Sequence, residues 1–310
     1  MANISELETR FLVFFSIYTL EGLFQIISNV LIAIVIWQNK RCHRKEYCLP
    51  FALAIADGLF GVAMLSAGTY RIQIIANSQL FSAMAKWACA KQLHILLLIV
   101  SEATVPTILF LVSVDRCIAC ISIVWYSRIT AKLIVTISMA IFLTAFLLAT
   151  VGIALSYENT TPVGRVCAIY HATNENFHLL FNFYPMFMSV LCVIIYSIAP
   201  IAYHCSTVDS NISSSMIIQK RRQLKVTKTL SIVILCTLFL YTLPKIAIYA
   251  LHFLPETWKF WVGPILTILI SMNSGNNIFI YYWKNADIRI GLQRLFRCQC
   301  GKVTPDNSGA

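Results

Sequence analysis

The chain has 310 residues, of which 58% are hydrophobic and only 12% are charged, and its mean hydropathy is +0.74. Soluble domains are roughly half apolar and about a quarter charged, so these values exclude a water-soluble fold and require that much of the surface faces lipid. The net charge of +11 comes from basic residues clustered between apolar runs, a distribution typical of membrane topology and not of nucleic-acid binding.

Seven apolar stretches are long enough to cross a bilayer, for which a helix needs about 20 residues. In chain order they occupy residues 12–37, 48–70, 89–122, 131–155, 178–203, 229–253 and 261–283. The connections are short, so we expect an all-α membrane protein, a seven-transmembrane helix bundle with no separate soluble domain. We assign residues 1–297 to this domain, including a short amphipathic eighth helix at 288–296, and residues 298–310 to a cytoplasmic tail.

Lysine and arginine are unevenly divided between the two sides of the predicted bundle. Seventeen of the 24 fall on one side, mainly in residues 40–45, 128–132, 220–228 and 284–302. Cytoplasmic loops are enriched in these residues, so we expect an extracellular N-terminus and a cytoplasmic C-terminus. In this topology the sequons at Asn3 and Asn159 are glycosylation candidates, whereas the sequon at Asn211 lies inside and should carry no glycan.

Short motifs follow one another in order along the predicted helices. Residues 53–57 read LAIAD, residues 115–117 read DRC at the end of the third span, and residues 277–281 read NIFIY in the seventh. With Asn29 in the first span, they resemble the LAxAD, DRY and NPxxY signatures of rhodopsin-like G-protein-coupled receptors. The ending NNIFIYYWK, residues 276–284, is similar to nematode serpentine chemoreceptors of the Srsx type.

This resemblance implies a non-enzymatic receptor in the plasma membrane of sensory neurons that activates a heterotrimeric G protein. We expect a chemoreceptor for an external small-molecule ligand, and a neuropeptide receptor of the same fold is the alternative. We expect the lipid bilayer as its surroundings, and no cofactor and no bound metal. A seven-helix transporter or channel is a weaker alternative, because such proteins usually have internal repeats and paired broken helices, and the sequence shows neither.

Two of the eleven cysteines, Cys89 and Cys167, are outside the cell in the predicted topology, whereas the others fall in the membrane or the reducing cytoplasm. They also match the bridge that the family forms between the third helix and the second external loop, so we expect a disulfide between them. Cys298 and Cys300 follow the amphipathic segment and are palmitoylation candidates, with unmodified thiols as the alternative.

Ionisable groups within the hydrocarbon are costly and therefore functional candidates. The resemblance implies an activation network made of Asn29, Asp57, Asn273, Asn277 and Tyr281. Such a cluster holds either a sodium ion or ordered water, and we favour water because Val105 stands where the family has a hydroxyl ligand. Glu21 shares a helical face with Gln25 and Asn29, and its role stays open between lining the bundle and lying protonated near the surface.

Asp115 and Arg116 match the motif that the family uses for G-protein coupling. Asp115 supplies a carboxylate to Arg116, whereas residues 223–225 at the start of the sixth span contain no acid, so we expect no ion pair between Arg116 and the start of that span. The alternative is an arginine that merely extends to the membrane interface.

A ligand pocket is predicted between the third and sixth spans. Glu102 lies two heptads before Arg116 and therefore on nearly the same inward face of the third span. Four residues of the sixth span are spaced by three or four positions, so they share one face of that helix. The candidate pocket residues are His94, Glu102, Tyr241, Lys245, Tyr249 and His252. We expect Glu102 and Lys245 to form a charge pair at pocket depth, and a structural salt bridge without contact to a ligand is an equally open interpretation.

Overall fold

A computed structural model of the protein describes residues 4–39, 44–157, 159–208, 231–251 and 256–297. Most of these residues are helical. The long helices are α1 (Ile4–Gln38), α2 (Cys48–Ala76), α4 (Leu93–Ile121), α6 (Ala131–Ala154), α8 (Glu175–Val208), α9 (Ser231–Leu251) and α10 (Glu256–Lys284). The shorter helices are α3 (Lys86–Ala90), α5 (Ile123–Arg128), α7 (Ile169–Ala172) and α11 (Ala286–Phe296). Asn3, the Asn211 sequon, His252, Cys298, Cys300 and the predicted tail 298–310 lie outside the described residues.

Six of the described helices are long and apolar enough to cross a membrane, and they correspond to the first six predicted spans. The seventh predicted span lies within α10, which has 29 residues. Its second half carries five polar side chains between Ser271 and Asn277, and these lower its hydropathy. The crossing of the membrane by α10, and with it the orientation of the N-terminus, stays a prediction.

Two helices begin at residues other than the predicted span limits, for different physical reasons. Helix α1 begins at Ile4, eight residues before the predicted span, because hydropathy does not detect a polar helical extension in which Glu6 and Arg10 form an ion pair. Helix α4 begins at Leu93 and not at residue 89, because Gln92 adopts an extended conformation (ψ 133°) that ends the helical path. Cys89 therefore lies on the short helix α3.

Helices α1 and α2 approach each other closely through glycines. A Cβ atom at Gly22 would lie 2.5 Å from the Leu65 backbone nitrogen, and one at Gly68 would lie 2.9 Å from the Phe15 carbonyl oxygen. Small residues allow membrane helices to pack at backbone distance. Helix α4 packs against α2, α6 and α8, and most of its side chains are buried.

Helix α9 contains a π-helical turn at Leu238–Thr242, directly before Pro244. The Thr242 hydroxyl donates to the carbonyl oxygen of Thr237, five residues back, at 3.4 Å. Such turns insert one residue into the helical register and often occur at functional sites. The turn buries the side chains of Tyr241 and Thr242.

Small elements close the two ends of the helix bundle. Strands β1 (Ala83–Ala85) and β2 (Pro162–Gly164) pair antiparallel with Met84 opposite Val163. At the other end, the predicted amphipathic segment lies within α11, whose first turn is capped by the Asn285 side chain. The side chains of Ile288 and Leu292 are buried in the bundle core and pack this helix against it.

Candidate functional site

The end of the bundle that carries α3 and α7, the outer end in the predicted topology, is covered by a bridged loop. Cys89 and Cys167 form the expected disulfide, and both side chains are fully buried. The guanidinium of Arg71 donates to the carbonyl oxygens of Val166 and Cys167 at 2.9 and 3.1 Å. A covalent bond and two charge-assisted hydrogen bonds thus hold this loop against the bundle.

His171 lies on α7 in the same covering layer. Its pKa is lowered by burial and by the nearby cations Arg71 and Lys86, so this imidazole is neutral at physiological pH. Asn159, the described sequon asparagine, lies between α6 and β2, where its side-chain oxygen accepts from the Thr161 hydroxyl at 2.6 Å.

Below the covering loop, the structure brings Glu102 of α4 and Lys245 of α9 together. Lys245 Nζ donates to Glu102 Oε1 at 2.7 Å, and the two side chains are only 11% and 10% exposed. Tyr241 lies beside the pair, with its ring centroid 5.9 Å from the ammonium nitrogen. Its hydroxyl is buried and has no hydrogen-bond partner among the described residues. The site therefore combines a buried charge pair with an unsatisfied hydroxyl.

Two other predicted pocket residues make their described contacts elsewhere, and His252 lies outside the described residues. His94 lies eight residues from Glu102, about 12 Å along the helix, and its Nε2 is 3.4 Å from the carbonyl oxygen of Cys167 under the covering loop. Tyr249 packs edge-on against Phe183 of α8, with ring centroids 5.4 Å apart.

Asp57 lies in the buried polar cluster that the motifs predicted. Its Oδ2 accepts from the Asn277 amide at 2.7 Å, whereas its Oδ1 has no hydrogen-bond partner among the described residues. Asn29 donates to the backbone oxygens of Gln25 and Ser274, at 3.0 and 3.2 Å, rather than to Asp57. Asn273 and Tyr281 are also buried.

Polar contacts between α1 and α10 extend this cluster through the length of the bundle. Tyr18 donates to the Pro264 carbonyl oxygen at 3.3 Å. The Gln25 amide donates to the backbone oxygen and to the hydroxyl of Ser271, both at 2.6 Å. The two helices are therefore joined by hydrogen bonds at several levels.

Arg116 lies near the end of α4 that is opposite the covering loop, and it is only 1% exposed. Its guanidinium forms an ion pair with Asp115, and its Nη2 donates to the hydroxyl of Tyr126 at 2.8 Å. Tyr126 belongs to α5, outside the membrane-spanning helices, and burial raises the pKa of its phenol. The phenol therefore stays protonated beside the arginine.

Lys45 holds the other side of Tyr126. Its ammonium lies 3.9 Å from the centroid of the Tyr126 ring, and it donates to the carbonyl oxygens of Tyr126 and, at 3.1 Å, of Ile129. The connection between α1 and α2 thereby fixes the connection between α4 and α6, and through it the arginine.

Sequence reasoning missed the roles of Tyr126, Ser271 and Ser274. Ser274 precedes Asn277 by three residues, so helical spacing alone would have placed it on the same face. Tyr126 follows Arg116 by ten residues, but the extended Ser122 separates their helices. Because helical periodicity does not continue across such a break, the sequence spacing could not predict this contact.

The family model described as serpentine type 7TM GPCR chemoreceptor Srsx matches residues 23–296. This range contains the buried polar cluster, the Glu102–Lys245 pair and the arginine at the inner end. A search of curated proteins found no match.

Proposed function

Because the chain belongs to the Srsx family of serpentine seven-transmembrane chemoreceptors, we propose that it binds an external small molecule and activates a heterotrimeric G protein. In this proposal it is a multi-pass protein of the plasma membrane of sensory neurons. Helix α10 is its seventh span, α11 lies along the cytoplasmic surface, and the N-terminus is extracellular.

The arrangement around Arg116 carries the proposal. A buried arginine needs compensation, and here the partners are Asp115 on the same helix and Tyr126 on α5. The described part of α9 contains no acidic residue, so no carboxylate of this segment pairs with Arg116, and moving α9 away from the arginine would not break such a pair. The arginine is then available to a G protein once Tyr126 moves away.

The ligand is proposed to act near Glu102 and Lys245. The charge pair joins α4 to α9, and the π-helical turn and Pro244 lie next to it in α9. A molecule that competes for either charge, or for the Tyr241 hydroxyl, changes the contact between these helices. The predicted external loops are short, which favours a small molecule over a large peptide.

Ligand-dependent signalling of a single variant tests the proposed function. Cells that express the receptor and report cAMP and calcium should respond to a member of a small-molecule library. Arg116→Ala should abolish this response while surface expression is retained. Arg10→Ala is the matched control, because Arg10 lies at the other end of the bundle, in an exposed ion pair with Glu6 and over the ring of Trp261. Normal signalling by Arg116→Ala would contradict coupling to a G protein through this residue.

A further inference from the structure

A crevice between α1 and α10 opens on the side of the bundle that faces lipid. Its volume is about 320 Å³, and Leu20, Phe24, Met272 and Phe279 provide most of its wall. Leu20 and Phe279 are 67% and 61% exposed. The crevice is therefore accessible from the bilayer and is separate from the Glu102–Lys245 site.

Two tryptophans indicate the depth of this crevice. Trp37 and Trp283, on α1 and α10, are 73% and 72% exposed, and indoles favour the headgroup boundary. Gln25 and Ser271, which are hydrogen-bonded to each other beside the crevice, each lie twelve residues from the tryptophan of their own helix. At 1.5 Å per residue this distance is about 18 Å, which places the crevice near the middle of a hydrocarbon core about 30 Å thick.

Polar oxygens in the wall of this apolar crevice have no donor. Glu21 lines the crevice, and its Oε2 atom is buried without a hydrogen-bond partner in the described chain. The Ser271 side chain interacts with the same carboxyl group, but Oε2 itself stays without a partner among the described residues. Gln25 uses its amide nitrogen on Ser271, and its Oε1 is likewise unpaired among the residues described. Unsatisfied oxygens in hydrocarbon cost several kcal/mol.

We propose that this crevice binds a long-chain alcohol dissolved in the bilayer, whose hydroxyl group hydrogen-bonds to Glu21. A hydroxyl can donate to a carboxylate and can accept from a protonated carboxyl, so it satisfies Glu21 in either state. The alkyl chain contacts the apolar wall. Phospholipid headgroups stay at the membrane interface and do not reach this depth.

The size of the crevice favours a single chain. Its volume lies at the lower end of the range of about 300–1,000 Å³ for ligand pockets. Unlike a fused ring system, a single chain can follow the narrow space between two helices. The flexible Met272 side chain in the wall can adapt to such a chain.

A second crevice in the same molecule provides a matched control. It also faces lipid, lies between α4, α6 and α8, and has a volume of about 260 Å³. Of its three hydroxyl groups, those of Thr107 and Tyr184 hydrogen-bond to each other at 2.5 Å, and that of Thr144 donates to the Ala140 carbonyl oxygen at 2.8 Å. This crevice has a comparable size but no carboxyl group among the described residues of its wall. We therefore expect it to bind long-chain alcohols no better than alkanes.

Photolabelling of the full-length receptor in lipid nanodiscs tests the inference. The probes are hexadecanol and hexadecane that carry the same diazirine, and labelled peptides are identified by mass spectrometry. The alcohol should label peptides of α1 and α10 saturably, and unlabelled hexadecanol should compete while hexadecane does not. Glu21→Leu should weaken this labelling about tenfold, the equivalent of about 1.4 kcal/mol, whereas Thr107→Val should leave it unchanged.

Three results would overturn the inference. The first is equal competition by hexadecane and hexadecanol, which would mean that the crevice recognises only hydrocarbon. The second is equal labelling of the two crevices. The third is competition by a sterol but not by hexadecanol. The competition between the two probes uses the unaltered receptor, so it decides the question even if Glu21→Leu folds poorly, and it does not depend on coupling to a G protein.

Discussion

At the scale of single residues, the phenol of Tyr126 is expected to restrain Arg116. The hydrogen bond between them is 2.8 Å long and buried, and Asp115 is the second partner of the guanidinium. Tyr126→Phe removes the hydroxyl and keeps the ring on which Lys45 packs. We expect higher G-protein activation without ligand, because the arginine loses a hydrogen bond of about 1–3 kcal/mol. The measurement is basal cAMP or calcium signal at matched surface expression.

Tyr157→Phe is the control for this substitution. Tyr157 is an exposed residue at the opposite end of the bundle, and its ring packs edge-on against Trp87, a contact that phenylalanine preserves. Basal signalling should be unchanged in this variant. If Tyr126→Phe also signals at the basal level of the unaltered receptor, the tyrosine does not restrain the arginine.

The Glu102–Lys245 pair leads to a second prediction at this scale. Removing one partner leaves the other charge buried and uncompensated, which costs about 3–5 kcal/mol. Glu102→Gln and Lys245→Met should therefore each reduce surface expression or response. The exchange of Glu102→Lys with Lys245→Glu should partly restore surface expression, because the attraction between the charges does not depend on which helix carries which sign.

The response of the exchanged receptor distinguishes the two interpretations of this pair. A receptor that reaches the surface and responds at normal ligand concentration contains a structural pair, and its ligand binds elsewhere. A receptor that reaches the surface without responding indicates that the ligand contacts at least one of the charges. Failure of the exchange to restore expression would contradict the assumption that attraction between the charges is their main contribution to folding.

At the scale of helices, the contact of α1 with α2 depends on the absence of side chains. A Cβ atom at Gly22 would lie 2.5 Å from the Leu65 nitrogen and 2.7 Å from the Gly61 oxygen, and backbone atoms cannot rotate away. Gly22→Ala should therefore separate the helices and destabilise the receptor by about 1–3 kcal/mol. A lower melting temperature in detergent is the expected measurement.

Gly263 provides the matched control for this helix contact. It also lies in a long helix, but a Cβ atom there would meet nothing within 4 Å. Gly263→Ala should leave the melting temperature unchanged or raise it, because alanine favours helix. Equal destabilisation by both substitutions would mean that close approach of α1 and α2 is not the cause.

The covering loop gives a prediction about the disulfide. Cys89→Ser should reduce the yield of folded receptor, since a bridge typically stabilises by about 2–4 kcal/mol. Cys167→Ser should have the same effect, and the double variant should be no worse than either single one, because both remove the same bond. The yield of detergent-stable receptor is the measurement, and additive losses would contradict a shared bond.

Helix positions were more predictable than helix interruptions. The first six spans could be predicted because hydropathy measures transfer to lipid, and residues that prefer lipid form the middle of each helix. The π-helical turn at Leu238–Thr242 and the break at Gln92 could not be predicted in this way, because the conformation of the backbone at these points depends on packing and not on hydropathy. The ordered motifs brought Asp57 and Asn277 to one place, whereas the contact of Lys45 with Tyr126 joins residues 81 positions apart without any motif.

At the scale of the whole molecule, charge and polarity are distributed in different ways. Seventeen of the 24 basic residues fall on one side of the predicted topology and are expected to fix the orientation. The buried polar groups form a path inside the bundle, from the Gln25–Ser271 contact to the Asn277–Asp57 contact. We therefore expect the orientation to depend on the basic loops and not on the polar interior, so it can be tested without changing the core.

The predicted orientation determines which sequon receives a glycan. Asn159 lies on the side of the covering loop and its disulfide, whereas Asn211 lies in the sequence segment that contains the basic residues 220–228. Only the outer side meets the glycosylation machinery, so Asn159→Gln should remove glycosidase-sensitive mass from the receptor expressed in animal cells. Asn3→Gln controls for a glycan at the N-terminus, and the double variant of Asn3 and Asn159 should show no shift at all. Asn211→Gln should leave the mass unchanged. A glycan at Asn211 would invert the orientation, place Arg116 outside the cell and contradict its proposed contact with a G protein.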